Sequence, residues 1–138
     1  MVWDIGAIGP SLNFCLDIES VIEINYRYTD NGGVFLKDGR ASLEAALARP
    51  LASFDGIEFY PSPIEKAAVL LHGVANSHAF RDGNKRTGWL CCVTYLAQHS
   101  LFLIESADNY ADDFVVDVVV GKIRHEEAVD WLLFRIDD

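Results

Sequence analysis

The sequence is poor in positive charge and in long hydrophobic runs. Its 11 Lys and Arg residues stand against 21 Asp and Glu residues, which gives a net charge of −10. A general nucleic-acid binder needs a basic surface to neutralise phosphates, so this composition disfavours that class. The apolar runs are far shorter than the ~20 residues that a membrane-spanning helix requires. We therefore expect neither a nucleic-acid partner nor a membrane partner.

Cysteine is also scarce. The three cysteines are Cys15, Cys91 and Cys92, and no C-x-x-C pair occurs. An odd count with two adjacent members argues against a disulfide framework and favours a reducing compartment. Asp4 is the only charged residue before Asp17, so the positively charged start of a signal peptide is absent. The sequence thus predicts a soluble, cytoplasmic protein.

The composition that remains is that of a globular protein. Hydrophobic residues make up 51% and charged residues 23% of the 138 positions. This length suits one domain with a substantial core, and there is no internal repeat or linker-like tract. We expect a single domain over residues 1–138, with its core in about 16–136 and an irregular lead-in over 1–15.

Apolar spacing predicts an all-α fold. Asp17 is placed to cap a helix that buries Ile18, Val21, Ile22, Asn25 and Tyr26 and stops before the turn at 30–33. Ser62, Pro63 and Glu65 form a helix start with a capping box. Further helices are expected over 41–49 (ended by Pro50), 63–77, 84–99, 107–120 and 124–135, with short extended segments at 34–36 and 101–104.

The segment from His78 to Gly88 carries most of the chemical information. It reads His-Ala-Phe-Arg-Asp-Gly-Asn-Lys-Arg-Thr-Gly and joins two predicted core helices. A glycine turn followed by a helix N-terminus presents backbone N–H groups to an anion. Three of the eleven basic residues of the chain fall within its six positions 81–86. This pattern predicts a phosphate-binding loop.

Seven residues of this loop have candidate roles, and two of them, His78 and Asp82, are candidate catalytic residues. His78 is the candidate general base, because its pKa lies near working pH. Asp82 is the candidate metal ligand, since Mg²⁺ is commonly held by one or two carboxylates and substrate phosphates. The remaining candidates are phosphate-binding residues and a buried loop anchor: Gly83, Asn84, Lys85 and Arg86 for phosphate, and Phe80 as the anchor. Gly83 and Asn84 also suit ordinary turn chemistry.

These residues resemble the signature of the Fic/Doc family. That signature runs His, any, Phe, any, Asp or Glu, Gly or Ala, Asn, Gly or Lys, Arg, and His78 to Arg86 fit every position. The segments 43–50 and 120–123 also look like death-on-curing (Doc) proteins, so the resemblance covers about 16–136. It implies a Fic-like helical bundle with a short β-flap.

Two positions depart from the general family pattern. Lys85 stands where Fic adenylyltransferases have glycine, and Trp89 stands where they have a second arginine. Lys85 followed by Arg86 and Thr87 is similar to Doc toxins, in which the nucleotide is taken to bind in a reversed pose. The resemblance therefore implies a toxin that uses ATP and Mg²⁺ to phosphorylate a hydroxyl of elongation factor Tu and arrest translation.

The resemblance also implies two protein contacts. The first is an antitoxin chain, because the family's self-inhibitory Ser/Thr-x-x-x-Glu-Gly/Asn element does not occur in the sequence. The second is a flap formed by Val34, Phe35, Leu36 and Lys37, which could pair with an extended stretch of the target. An ordinary edge hairpin explains that segment equally well.

Three alternatives remain at this point. Adenylyl transfer is a second activity of the same family, although Lys85 and Trp89 count against it. A metal-dependent hydrolase would use His78 and Asp82, but Lys85 and Arg86 disfavour a bare metal site and no second ligand pair has metal spacing. A non-catalytic binding module is also conceivable, although every reactive position of the loop is present.

Overall fold

The computed structural model describes residues 14–30, 33–104 and 111–137. These ranges contain six α-helices, which confirms the predicted all-α fold: α1 (Ile18–Tyr28), α2 (Gly39–Ala48), α3 (Pro63–Ala75), α4 (Asn84–Gln98), α5 (Ala111–Val119) and α6 (His125–Phe134). Residues 1–13 of the predicted lead-in over 1–15, and the predicted start of a helix at 107–110, lie outside the described residues. No helix within the described ranges is long and apolar enough to cross a membrane.

Helices α3 and α4 form the centre of the core. Their buried faces carry fully enclosed apolar side chains: Leu70, Leu71 and Val74 on α3, and Cys91, Cys92 and Leu96 on α4. The axes approach closely at Gly88, where a Cβ atom would lie 2.9 Å from the backbone nitrogen of Ala75. The loop 76–83 joins these two helices, so it is held at both ends by the most buried part of the protein.

The two cysteines of α4 serve this packing. Both are fully buried and unpaired. Burial raises the pKa of the Cys92 thiol to about 12 and raises that of Cys91 as well. Both thiols are therefore protonated and unreactive at neutral pH. This agrees with a role in core packing and not in chemistry.

Helix α1 begins as predicted and buries the predicted face except at Tyr26. The Asp17 carboxylate accepts a hydrogen bond from the Ser20 backbone N–H at 3.1 Å, which confirms the predicted cap. Ile24 takes the core position that we expected Tyr26 to share, and Tyr26 is 62% exposed. The apolar periodicity of this helix is short and does not distinguish the two rotations.

Helix α2 starts earlier than its sequence indicates. It begins at Gly39, two residues before the predicted start, and ends at Ala48. Pro50 lies inside a following 3₁₀ turn, Arg49–Leu51, so it does not end the helix directly. Gly39 is required for packing, because a Cβ atom there would lie 2.4 Å from the carbonyl oxygen of Ala79. The start of α2 is thereby fitted against the motif loop.

Two small antiparallel pairs complete the described fold. The first, β1 (Ser53–Phe54) with β2 (Ile57–Glu58), was not predicted. Its signal is the Asp55-Gly56 dipeptide, which supplies two residues with positive φ as a two-residue hairpin turn demands. The second pairs β3 (Phe102–Leu103), inside the predicted extended segment, with β4 (Ile136–Asp137).

Ser62 provides a test of how α3 is anchored. Its hydroxyl accepts a hydrogen bond from the Glu65 backbone N–H at 3.1 Å. We expect Ser62→Ala to lower the free energy of unfolding by about 1 kcal/mol, because a helix N-terminal donor loses its partner. Urea denaturation measures this change, and Ser62→Thr, which keeps the hydroxyl, is the control. Equal midpoints for Ser62→Ala and the parent would contradict the capping role.

Candidate functional site

The motif loop turns at two residues with left-handed backbone. His78 has φ +52° and Gly83 has φ +78°. A Cβ atom on Gly83 would lie 2.2 Å from the Thr29 hydroxyl, so both the conformation and the space require glycine. His78 is exposed while its neighbour Ala79 is buried. The turn therefore directs the imidazole outward from a fixed backbone.

Asn84 and Phe80 lock the middle of the loop. The Asn84 amide nitrogen donates to the Phe80 carbonyl at 2.8 Å, and the Phe80 N–H donates to the Asn84 amide oxygen at 3.2 Å. The Phe80 ring is 2% exposed and packs on Phe35 with ring centroids 5.5 Å apart. The Asn84 side chain is thus engaged in turn chemistry, and its predicted contact with phosphate stays a prediction.

Asn25 ties helix α1 to the same loop, which sequence reasoning missed. Its side chain is 1% exposed, and its amide nitrogen donates to the Asp82 carbonyl oxygen at 2.8 Å. The same nitrogen lies 3.1 Å from the hydroxyl of buried Thr87 and 3.3 Å from that of Thr29. The only sequence signal was a polar residue on a core-facing position of α1. Asn25 positions the Asp82–Gly83 backbone and the first turn of α4.

The flap segment pairs with the motif loop through one bridge. Phe35 lies opposite Phe80, flanked by bonds from Leu36 N–H to the Ala79 carbonyl and from Arg81 N–H to the Val34 carbonyl, each 2.9 Å. The predicted short strand at 34–36 is therefore reduced to this pairing. Since Phe35 sits in the non-hydrogen-bonded position, its own N–H and carbonyl point to the opposite edge. Val34, Leu36 and Lys37 are exposed beside it.

The first turn of α4 is open and cationic. Gly83 has no side chain with which to cap it, and the first backbone bond into the helix runs from Thr87 N–H to the Gly83 carbonyl at 2.8 Å. The N–H groups of Asn84, Lys85 and Arg86 therefore lack acceptors within the helix. Lys85 and Arg86 are exposed, and neither forms a salt bridge with a described carboxylate. Cations here oppose the helix dipole unless an anion joins them.

Two cavities flank this turn and share Arg86. The smaller, of about 240 Å³, is lined by Asp82, Gly83, Arg86 and three residues at the end of α1: Tyr28, Thr29 and Asp30. The larger groove, of about 470 Å³, extends from Lys85 and Arg86 to an apolar wall that includes Trp89 and Val115. His78 and Asn84 line neither of these two cavities. The sequence placed Tyr28 and Thr29 in the predicted helix and Asp30 in the turn that follows it, and it did not indicate that they line a cavity.

Asp30 and Asp82 bring two carboxylates to the smaller cavity. Within the described ranges, no three His, Cys, Asp or Glu side chains group together as a metal site. Carboxylate oxygens beside an anion-binding turn are nevertheless suited to Mg²⁺, which completes its shell with phosphate oxygens and water. The donor set thus fits a metal that arrives with a phosphate ligand.

The sequence that forms this site matches the model of a known protein family. The model of the Fic/DOC family matches residues 15–96, a range that holds α1 to α3, most of α4, the flap segment and the whole motif loop. The chain belongs to the Fic/DOC family. The resemblance drawn from His78 to Arg86 is thereby confirmed for more than half of the chain.

A relative within the Fic/DOC family narrows the placement. The chain is 42% identical over 77 residues to a protein named Toxin Doc from Mycolicibacterium smegmatis (strain ATCC 700084 / mc(2)155). The aligned part is 55% of this chain and 59% of the relative, so the match spans less than two thirds of the relative's length. This similarity supports the Doc branch, which the resemblance at Lys85 predicted.

Proposed function

We propose that this Fic/DOC protein is a Doc-like toxin that phosphorylates a hydroxyl side chain of a protein target. In this reaction the target oxygen forms a bond to the γ-phosphorus of ATP. The bond from that phosphorus to the β–γ bridging oxygen breaks, and ADP leaves. The hydroxyl proton passes to the His78 imidazole. The family resemblance suggests elongation factor Tu as the target.

The cationic first turn of α4 is the observation that carries this proposal. Three N–H groups without acceptors in the helix lie beside Lys85 and Arg86, and neither of these cations forms a salt bridge with a described carboxylate. A transferring phosphoryl group spreads charge over its oxygens, and such a turn stabilises that charge without rearranging. At the position where adenylyltransferases have glycine, Lys85 supplies a long cationic side chain. This cation favours binding of the end of the nucleotide that carries the most negative charge.

Magnesium supplies charge neutralisation when it is bound. Asp82 is the residue that would hold it, and Asp30 lines the same cavity. The backbone of Asp82 is fixed by Asn25, so its carboxylate is carried on a constrained turn. The larger groove, with Trp89 on its apolar wall, has room for the uncharged part of the nucleotide.

The flap segment is suited to present the target hydroxyl. The Phe35 N–H and carbonyl form no backbone hydrogen bond with another described residue, and they offer one donor and one acceptor to an extended peptide. Because Phe35 is bridged to Phe80, two residues from His78, a peptide on this edge would run past the base. Exposed Val34 and Leu36 add apolar contact.

The likeness to a protein named Toxin Doc supports a toxic activity that a separate antitoxin chain restrains. An antitoxin would act most simply by covering the turn at Lys85 and Arg86 or the edge at Phe35. Arrest of translation is the cellular consequence expected if elongation factor Tu is the target.

Labelled ATP distinguishes the two transfer reactions. With purified elongation factor Tu and Mg²⁺, we expect label from the γ-phosphate and none from the α-phosphate to appear on the target. Lys85→Gly should lower γ transfer, because the turn loses one of its two cations. Thermal unfolding of that variant controls for folding. Label arriving from the α position alone would overturn the proposal and establish adenylyl transfer.

A further inference from the structure

A third cavity lies apart from the motif loop. It has a volume of about 320 Å³. It is formed where the 3₁₀ turn, Tyr60, helix α3, the end of helix α5, the α5–α6 turn and helix α6 meet. None of its lining residues belongs to the segment 76–90. Its polar lining consists of Arg49, Tyr60, His72, Arg124 and His125. Its apolar floor includes Ala68, Val69 and Val118.

The charge of this cavity is opposite to that of the protein. Two arginines and two histidines line it and no carboxylate does, although the chain carries a net charge of −10. Arg49 lies with its Nη1 atom 3.4 Å from Nδ1 of His72. Neither Arg49 nor Arg124 forms a salt bridge with any carboxylate in the described part of the chain. Both arginines are exposed to solvent, and their charges give the cavity a positive potential that attracts an anion.

The pKa of His72 reflects the positive potential of this cavity. Its pKa is lowered, first by burial and then by the charges of Arg49 and His125. The other polar groups at the cavity are the Tyr60 phenol and the Arg124 guanidinium, and neither offers a negative charge at neutral pH. A bound dianion would offset the positive charges that lower the pKa of His72 and would favour its protonated imidazole.

The remaining walls indicate the rest of the ligand. The Tyr60 and His125 rings meet edge to face with centroids 5.2 Å apart, and Tyr60 is half-buried. Together with the apolar floor they offer a surface for a ring. The volume is at the lower end of those of small-molecule sites, about 300–1,000 Å³. The space suits a small molecule and is too limited for a folded partner.

We propose that this cavity binds a small-molecule phosphate monoester. Arg49 and Arg124 hold the phosphate dianion, His72 and His125 donate to it, and the organic part lies against Tyr60 and the apolar floor. Arginine suits this role because its planar fork can donate two parallel bonds to phosphate oxygens. The site is separate from the ATP turn of α4 and does not depend on the proposed transfer reaction.

Calorimetric titration of the whole protein with ribose 5-phosphate tests the proposal. We expect binding with a submillimolar dissociation constant, at least tenfold weaker binding of inorganic phosphate, and no binding of ribose. The double variant Arg49→Gln/Arg124→Gln should weaken ribose 5-phosphate binding at least tenfold. Arg86→Gln at the α4 turn is the matched control and should leave the constant unchanged.

Two further readouts locate the ligand. The NMR titration of His72 should shift to higher pH when ribose 5-phosphate is present, and circular dichroism should show both arginine variants folded. Absence of binding, equal binding of inorganic phosphate, or loss of binding in Arg86→Gln alone would each overturn the proposal. Unchanged binding in the double variant would do the same.

Discussion

His78→Ala should lower the rate of transfer to the target by about 10²–10⁴-fold, the usual contribution of a positioned general base. The loss should appear in kcat, because the imidazole acts on the target hydroxyl and not on the ATP site. Growth arrest on expression should disappear with it. Initial rates with γ-labelled ATP and a plate assay for growth measure both effects.

The same substitution should leave the fold intact. His78 is exposed and makes no hydrogen bond with another described residue, so its removal opens no cavity. His99→Gln is a matched control, since that residue follows the opposite end of α4 and contacts Tyr95. Full growth arrest by His78→Ala, with normal thermal unfolding, would show that catalysis is not the cause of toxicity.

Asn25→Ala should lower the free energy of unfolding by about 1–3 kcal/mol, the range measured when a buried polar group loses its partner. The variant leaves the Asp82 carbonyl without its donor and the Thr87 hydroxyl without its neighbour inside the core. For a chain of this size the midpoint of thermal unfolding should fall by roughly 3–10 °C. Calorimetry measures the shift.

A control on the same helix separates this network from helix stability in general. Glu23→Gln removes only an exposed ion pair with Arg27, at 2.8 Å, and should change stability by about 0.5 kcal/mol or less. Asn25→Asp keeps the shape of the side chain but loses the donor, so it should resemble Asn25→Ala. A midpoint for Asn25→Ala equal to that of Glu23→Gln would refute the anchoring role.

Local signals were sufficient to predict most helices. Asp17 and Ser62 are hydrogen-bonded caps at the predicted starts of α1 and α3, and Gly83 opens α4. These signals act over three or four residues, so the sequence contains them in full. Errors arose where a local pattern was ambiguous, as in the rotation of α1 at Tyr26, or was overlooked, as at Asp55-Gly56.

By itself, the sequence determined the helical class, the loop with its reactive residues and the Doc-like identity of position 85. The tertiary structure alone decided which distant residues complete that loop. Asn25 reaches Asp82 across 57 positions, Phe35 pairs with Phe80, and Asp30 shares a cavity with Asp82. Such contacts depend on how α1 and the flap segment pack against α4, because backbone propensity and apolar spacing specify elements but not their neighbours.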